Sequence, residues 1–138
     1  MITREDLEAL GYAYYEDIGQ QARVRCMTPM SMVQEFASRT QQNPDAKLYF
    51  KLISEEYREW LDERAGTTGE LKELADLVYV IFGFANAMGY DLDEAVRRVH
   101  VNNLGRCLQP DGSVKRREDG KILKQPNYPK PYLDDLIK

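Results

Sequence analysis

The sequence has few of the features that mark secreted, membrane-spanning or thiolate-metal proteins. Only two of its 138 residues are cysteines and one is a histidine. Cys26 and Cys107 lack the spacing of metal ligands, so they predict free thiols in a reducing compartment. The longest apolar run, residues 77–85, is too short to cross a bilayer. The opening MITREDLEAL has no hydrophobic stretch of a secretion signal. These absences predict a cytoplasmic protein without a membrane partner.

The sequence also lacks an excess of positive charge. It has 19 Lys and Arg against 23 Asp and Glu, a net charge of −4, and this balance does not predict a nucleic-acid partner. The hydrophobic and charged fractions, 43% and 30%, are typical of globular proteins. We therefore expect one domain over residues 1–138, with enough length to bury a core.

Strong period-two patterns, which would predict β-strands, are absent before residue 106, and helical signals take their place. Helices are predicted over residues 3–11, 12–25, from Thr28-Pro29 to about residue 40, 45–64, 70–88 and 92–104. The helix over residues 70–88 is apolar nearly all round, which is typical of a helix in the middle of a bundle. The sequence therefore predicts an all-α helical bundle with its core at about residues 28–106.

The character of the chain changes after Arg106. Residues 107–138 contain two Asp-Gly pairs and four prolines, which predict a short hairpin of residues 113–116 against 121–123, followed by an extended arm. This tail is locally basic, with its positive residues at Lys115, Arg116, Arg117, Lys121 and Lys124. Lysine and arginine are natural partners of phosphate, although a solvated basic turn is the alternative interpretation.

Acidic residues recur at helical spacing in the segment KLISEEYREW and just after it. On a helical wheel, one arc of roughly 100° holds Glu55, Glu56, Glu59 and Glu63. Like charges at such spacing repel each other, so something should compensate. The next helix adds Glu73 and Asp76, three residues apart in an otherwise apolar run.

Two antiparallel helices would direct these acids into one cleft. Such a set of oxygen ligands suits a hard divalent cation, with Mg²⁺ as the expected ion and Mn²⁺ as the alternative. An E-x-x-E pair by itself is usually solvated surface. Asp76 is more informative, because an ionised carboxylate in an apolar run is costly to bury alone.

The two segments LISEEYREW and ELKELADLVYV resemble the E-x-x-E, spacer, E-x-x-D signature of MazG-like nucleoside triphosphate pyrophosphohydrolases. These enzymes form an all-α superfamily with the dimeric dUTPases and phosphoribosyl-ATP pyrophosphohydrolase. The resemblance runs over about residues 32–124 and includes RVHVNNLGR and DGSVKRREDGKILKQP. The sequence is most similar to the short, single-domain cyanophage type, which would place the protein in a host cytoplasm. Residues 1–27 match nothing in the shared motif.

The resemblance implies an Mg²⁺-dependent cleavage of a (deoxy)nucleoside triphosphate between its α- and β-phosphates, giving a monophosphate and pyrophosphate. It also implies dimers, or dimers of dimers, whose sites are completed across subunits. The residues matching the family's cation ligands are Glu56, Glu59, Glu73 and Asp76, with Glu55 as a further candidate. Asn103 matches the family asparagine, and Arg106 stands where a basic residue usually follows.

Further roles are expected for some of these residues. Glu56 or Glu59 would take a proton from the attacking water. The substrate-binding candidates are Asn103, Arg106, Lys115 and Lys121. The lone His100 is expected to be structural, and core packing rather than base stacking is expected for Phe36, Tyr49 and Trp60.

Two other hypotheses stay open at this point. The first is a pyrophosphohydrolase acting on (p)ppGpp or phosphoribosyl-ATP. The second is a non-catalytic helical assembly module in which the acids form a charge network between helices. The second hypothesis requires a basic partner for each acid, and the helix over residues 70–88 offers only Lys72.

Overall fold

From residue 29 onward, the regular structure of the described residues consists of four α-helices and one 3₁₀ turn. The computed structural model describes residues 3, 5, 23–43 and 45–138, and these contain no extended strand. The elements are α1 (Pro29–Arg39), α2 (Ala46–Asp62), α3 (Thr68–Met88), α4 (Leu92–Cys107) and a 3₁₀ helix (Asp134–Leu136). The predicted all-α fold is confirmed. The helices predicted over residues 3–11 and 12–25 lie almost wholly outside the described residues, although residues 23–25 are helical.

Local capping sets where the helices begin. Thr28 and Ser31 form a capping box ahead of α1, with Pro29 in the first turn as the sequence predicts. At α3, the hydroxyl of Thr67 accepts a hydrogen bond from the Glu70 amide at 3.2 Å. This cap starts the helix two residues earlier than predicted.

The turn between α3 and α4 also follows from the sequence. Gly89 ends α3 with a φ of 73°, a left-handed conformation that glycine adopts without strain. Asp91 then caps α4 by accepting from the Glu94 amide at 3.1 Å. The helix continues past the predicted end at residue 104 to Cys107. Gly105 lies within this extension, and a side chain there would collide with the hydroxyl of Tyr128.

Packing is centred on α3. The most extensive helix contact is between α2 and α3, followed by that of α1 with α3. Gly83 permits the close approach of α2, because an added Cβ would lie 2.5 Å from Cε1 of Tyr49. The buried apolar side chains among the described residues are Met30, Val33, Tyr49 and Ala85. The prediction of core packing therefore holds for Tyr49, whereas Phe36 is 47% exposed.

The tail returns along α4. Gln125 donates to the carbonyls of Gly105 and Leu108 at 3.0 and 2.8 Å. Nearer the start of α4, Arg98 forms a pair of hydrogen bonds with Asp135 at 2.7 and 3.0 Å. These contacts fasten the extended arm to α4.

The predicted hairpin lies between α4 and this arm. Arg116 and Ile122 form an isolated antiparallel bridge. The Arg117 amide donates to the carbonyl of Lys121 at 2.8 Å, and the Leu123 amide donates to that of Lys115 at 2.7 Å. The basic side chains are thus carried on a short structured turn.

One apolar face of α3 is exposed among the described residues. The exposed side chains at heptad-like spacing are Leu71, Leu74, Val78 and Ile81, and Leu71 is 66% exposed. Among the described residues, α3 is therefore the helix with the most packing contacts but is not covered on all sides. Within the described ranges, no helix combines the length and apolarity that crossing a membrane requires.

Candidate active site

The α2–α3 hairpin gathers the acidic residues. Glu56 and Glu59 lie in the second half of α2, and Glu73 lies in the second turn of α3. Each of these three offers a carboxylate oxygen, and these atoms all lie within 4.8 Å of one another. Asp76 lines the same cleft as Glu56. The structure therefore brings together the four acids of the two sequence pairs.

The electrostatics of Glu56 reflect this crowding. Its pKa is raised above the usual value, first by burial and then by the charges of Glu59, Asp76 and Glu73. A hydrogen bond with Glu59 raises the pKa further, because it favours the protonated form. The other three carboxylates thus act electrostatically on Glu56.

Two carboxylate oxygens in this cluster are buried and unsatisfied. Neither Oε2 of Glu56 nor Oε2 of Glu73 has a hydrogen-bond partner within the described part of the chain. A buried oxygen without a partner costs stability. A hard divalent cation binds such oxygens, so the residues present fit the cation that the sequence resemblance implies. The acidic group can hold a metal ion.

Lys72 pairs with part of the cluster. Its Nζ lies 2.6 Å from Oδ2 of Asp76 and 3.4 Å from Oε1 of Glu73. The hydrogen bond with Asp76 is the largest of the contacts that raise the pKa of Lys72. Among the described residues, Glu56 and Glu59 have no ion pair of this kind. A charge network between helices would need a basic partner for every acid. Lys72 pairs with only two of the four, Glu73 and Asp76.

Glu55 is separated from the cluster. It is exposed and lies 4.0 Å from Nζ of Lys51, one helical turn earlier on α2. Glu55 is also absent from the group whose oxygens converge. The arc predicted on the helical wheel is therefore wider than the face that meets α3.

A largely apolar cleft of about 260 Å³ adjoins the acids. Its walls come from α1, α2, α3 and the residues just after α1, and its lining includes Phe36, Gln42, Tyr49, Leu52, Glu56, Asp76, Tyr79 and Gly83. Phe36 and Tyr79 meet edge to face, with ring centroids 5.8 Å apart. Sequence reasoning missed Tyr79 and Gln42. The position of Tyr79, one helical turn after Asp76, is the signal that would have revealed it.

The basic and amide candidates lie elsewhere on the chain. Arg106 donates from Nη2 to Oδ1 of Asn103 at 2.7 Å, while its Nε is buried without a described partner. Lys115 and Lys121 lie on the exposed hairpin that follows α4. No hydrogen bond or ion pair among the described residues links these four side chains to the acids. A single chain therefore does not join the two groups by direct contact.

An all-α bundle with acid pairs on consecutive, packed helices is the arrangement expected for the all-α pyrophosphohydrolases. The sequence model of the family PRA-PH, phosphoribosyl-ATP pyrophosphohydrolase, matches residues 29–103. Because this match covers more than half of the chain, the protein belongs to the phosphoribosyl-ATP pyrophosphohydrolase family. It is therefore a hydrolase of phosphoric anhydrides, as predicted.

The protein was also compared with curated proteins and with solved structures. No curated protein matches the sequence. Among solved structures, the chain is similar to "Cyanophage S-2L MazG-like pyrophosphohydrolase bound to dGDP and three catalytic Mn2+ ions per active site". The two are 18% identical over 75% of this chain and 94% of that chain, with a TM-score of 0.48. At this score, the likeness supports no argument about ligands of the present protein.

Proposed function

We propose that the protein is an Mg²⁺-dependent nucleoside triphosphate pyrophosphohydrolase. It cleaves (deoxy)nucleoside triphosphates between the α- and β-phosphates and releases a monophosphate and pyrophosphate. The observation that carries this proposal is the convergence of carboxylates from α2 and α3 beside an aromatic cleft. Two of their oxygens are buried and have no hydrogen-bond partner among the described residues.

In this proposal, the four carboxylates hold the cation, and Mn²⁺ is able to replace Mg²⁺. The ligands are Glu56, Glu59, Glu73 and Asp76. When bound, the cation neutralises phosphate charge and polarises the phosphoryl group under attack. Glu56 and Glu59 both remain candidates for the base that accepts the proton of the attacking water.

The cleft beside the acids is suited to the nucleoside. Phe36 and Tyr79 offer aromatic surface for a base, and Tyr49 and Leu52 close the pocket from α2. Gln42 supplies an amide at the same cleft. The side-chain Oε1 of Gln42 lies 3.5 Å from the Tyr49 hydroxyl, while the side-chain Nε2 has no hydrogen-bond partner among the described residues. This nitrogen can donate to an acceptor on the base or sugar.

A second copy of the chain completes the site in this proposal. The exposed stripe on α3 needs an apolar partner, and α4 also exposes valines at positions 96, 99 and 101. Asn103 and Arg106 lie on α4, and no hydrogen bond or ion pair among the described residues links them to the four acids. A partner subunit would bring its Asn103 and Arg106, together with Lys115 and Lys121 of the hairpin, to the phosphates. The assembly is a dimer or a dimer of dimers.

Phosphoribosyl-ATP is the second candidate substrate, and the family match over residues 29–103 is the observation that favours it. It carries the same anhydride between α- and β-phosphates, so the same acids could serve either reaction. The two candidates differ in what the apolar cleft must accommodate, since phosphoribosyl-ATP has a second sugar phosphate on its base.

A substrate panel distinguishes these candidates. Ribo- and deoxynucleoside triphosphates, phosphoribosyl-ATP and (p)ppGpp would each be incubated with the protein and Mg²⁺, Mn²⁺ or chelator, and the products separated by anion-exchange chromatography. We expect the highest kcat/KM for a nucleoside triphosphate and no turnover in chelator. A clear preference for phosphoribosyl-ATP would favour the second candidate. Failure to hydrolyse any of these compounds would contradict both.

A further inference from the structure

Lys72 lies beside the proposed cation site but has no role in the proposed reaction. Its side chain is 67% exposed, so it approaches the acids from the solvent side. Its ammonium group lies 2.6 Å from Oδ2 of Asp76 and 3.4 Å from Oε1 of Glu73. Among the described residues, no other cation is ion-paired with any of the four clustered acids.

The oxygens held by Lys72 belong to the set that a divalent cation would need. On Glu73, Oε1 faces Lys72 while Oε2 is buried without a described partner. Asp76 likewise presents one oxygen to the ammonium group. A cation bound at the cluster would be repelled by a positive charge so close to its ligands. Lys72 and a divalent cation therefore compete for the same carboxylates.

We propose that Lys72 is a positioning residue that serves as an internal counter-ion of the cation-free site. It holds Asp76 and Glu73 in place between binding events and releases them when a divalent cation binds. The competition makes the site bind its cation more weakly than the four carboxylates alone would. This inference rests on the proposed function, because it assumes that the carboxylates bind a divalent cation.

Direct cation binding tests the competition. Mn²⁺ would be titrated into nucleotide-free protein, and free Mn²⁺ followed by electron paramagnetic resonance. We expect Lys72→Met to bind Mn²⁺ roughly tenfold more tightly than wild type, because removing one nearby positive charge removes a repulsion of that order. Lys72→Arg keeps the charge and should bind about as wild type does. Equal or weaker Mn²⁺ binding by Lys72→Met would overturn the proposal.

Lys51 provides the matched control. It is also an exposed lysine paired four residues along its helix with a glutamate, but Glu55 lies outside the cluster. Lys51→Met should leave Mn²⁺ affinity unchanged. A similar gain in both methionine variants would show a general effect of net charge and would also overturn the proposal.

A measurement without metal separates this inference from the proposed function. In chelator, Lys72→Met should melt at a lower temperature than wild type, because the clustered carboxylates lose their paired cation. Lys51→Met should melt at the same temperature as wild type. The decrease caused by Lys72→Met should be smaller when Asp76 is already replaced by Asn, because the ion pair is then absent. If wild type binds no Mn²⁺, the proposed function fails and the competition fails with it. A melting loss specific to Lys72→Met would still support the counter-ion role.

Discussion

At the scale of single residues, the unsatisfied oxygen of Glu73 is the feature that most needs an explanation. Glu73 is 14% exposed, and its Oε2 is buried without a described partner. A cation bound at the cluster would remove the cost of such an atom. The proposed cation site therefore accounts for the buried oxygen of Glu73.

Glu73→Gln tests that link through stability. The substitution keeps the shape, removes one of four repelling charges and supplies an amide donor to the remaining acids, so the variant should melt no lower than wild type in chelator. Mg²⁺ at 100 times its Kd would stabilise wild type by about 2.7 kcal/mol, and the variant should gain much less. Glu55→Gln, outside the cluster, should respond as wild type does. Thermal melts with chelator and with Mg²⁺ measure this, and a wild type indifferent to Mg²⁺ would contradict the cation site.

Glu56 predicts a pH dependence of stability. Burial, followed by the neighbouring carboxylates, raises its pKa in the folded chain. The folded protein therefore holds this proton more tightly than the unfolded chain, and Glu56 becomes destabilising as the pH rises through its raised pKa. In chelator, the contribution of Glu56 to the melting temperature should therefore fall as the pH rises above about 4.3, the usual pKa of a glutamate.

The matched variants isolate that contribution. Glu56→Gln cannot ionise, so its melting temperature should fall less over the same pH range. Glu55→Gln should retain the full decrease. Parallel pH profiles for wild type and Glu56→Gln would show that Glu56 does not titrate as its surroundings indicate.

At the scale of secondary-structure elements, the basic hairpin is the part whose role is easiest to isolate. Nη1 of Arg116 donates to the carbonyl of Gly120 at 2.9 Å, so that arginine supports the turn itself. The side chains of Lys115 and Lys121 make no such hydrogen bond among the described residues. They can be removed while the hairpin is kept.

Replacing Lys115 and Lys121 together with Ala should raise KM for a nucleoside triphosphate by roughly tenfold, because the two charges proposed to bind phosphate are lost. The melting temperature should stay the same. Lys130→Ala, on the arm beyond the hairpin, is the control and should leave both quantities unchanged. Steady-state kinetics on the three proteins provide the measurement. An unchanged KM in the double variant would make the hairpin a solvated basic turn.

Helix boundaries were largely predictable because they depend on neighbouring residues. The Thr28-Pro29 start of α1 and the Gly89 end of α3 follow from short-range capping. The start of α3 was missed because the hydroxyl of Thr67 was not recognised as its cap. The acid pairs were also predictable, since a spacing of three residues places two side chains on one helical face.

Features that depend on packing between distant segments were harder to predict from the sequence. The sequence could not show that Glu55 turns toward Lys51 instead of α3, since both glutamates at positions 55 and 56 fit the same broad arc. It also gave no reason to place Phe36 at an open cleft, because an aromatic at helical spacing is compatible with a core. The position of Arg106 depends on the course of α4, which capping does not determine.

At the scale of the whole molecule, the described part of a single chain leaves apolar helix surface exposed. The stripe on α3 presents Leu71, Leu74, Val78 and Ile81, and α4 presents valines at positions 96, 99 and 101. These features support an assembly of copies of the chain.

Charges on that stripe should break the assembly. We expect wild type to sediment as a dimer or larger species at micromolar concentration, and Val78→Glu with Ile81→Glu to dissociate it and lower activity. Ile137→Glu, which places one such charge on the exposed end of the arm, should leave the assembly intact. Sedimentation velocity measures all three proteins. A wild type that is active as a stable monomer would contradict the shared site.

The central claim is that the acid cluster directs attack at the anhydride between the α- and β-phosphates. The most direct test is ³¹P NMR of a nucleoside triphosphate incubated with the protein and Mg²⁺. The account predicts pyrophosphate and nucleoside monophosphate appearing together in equal amounts, with no diphosphate intermediate and no reaction in chelator. Orthophosphate released together with a nucleoside diphosphate would show cleavage at the γ-phosphate and contradict the account.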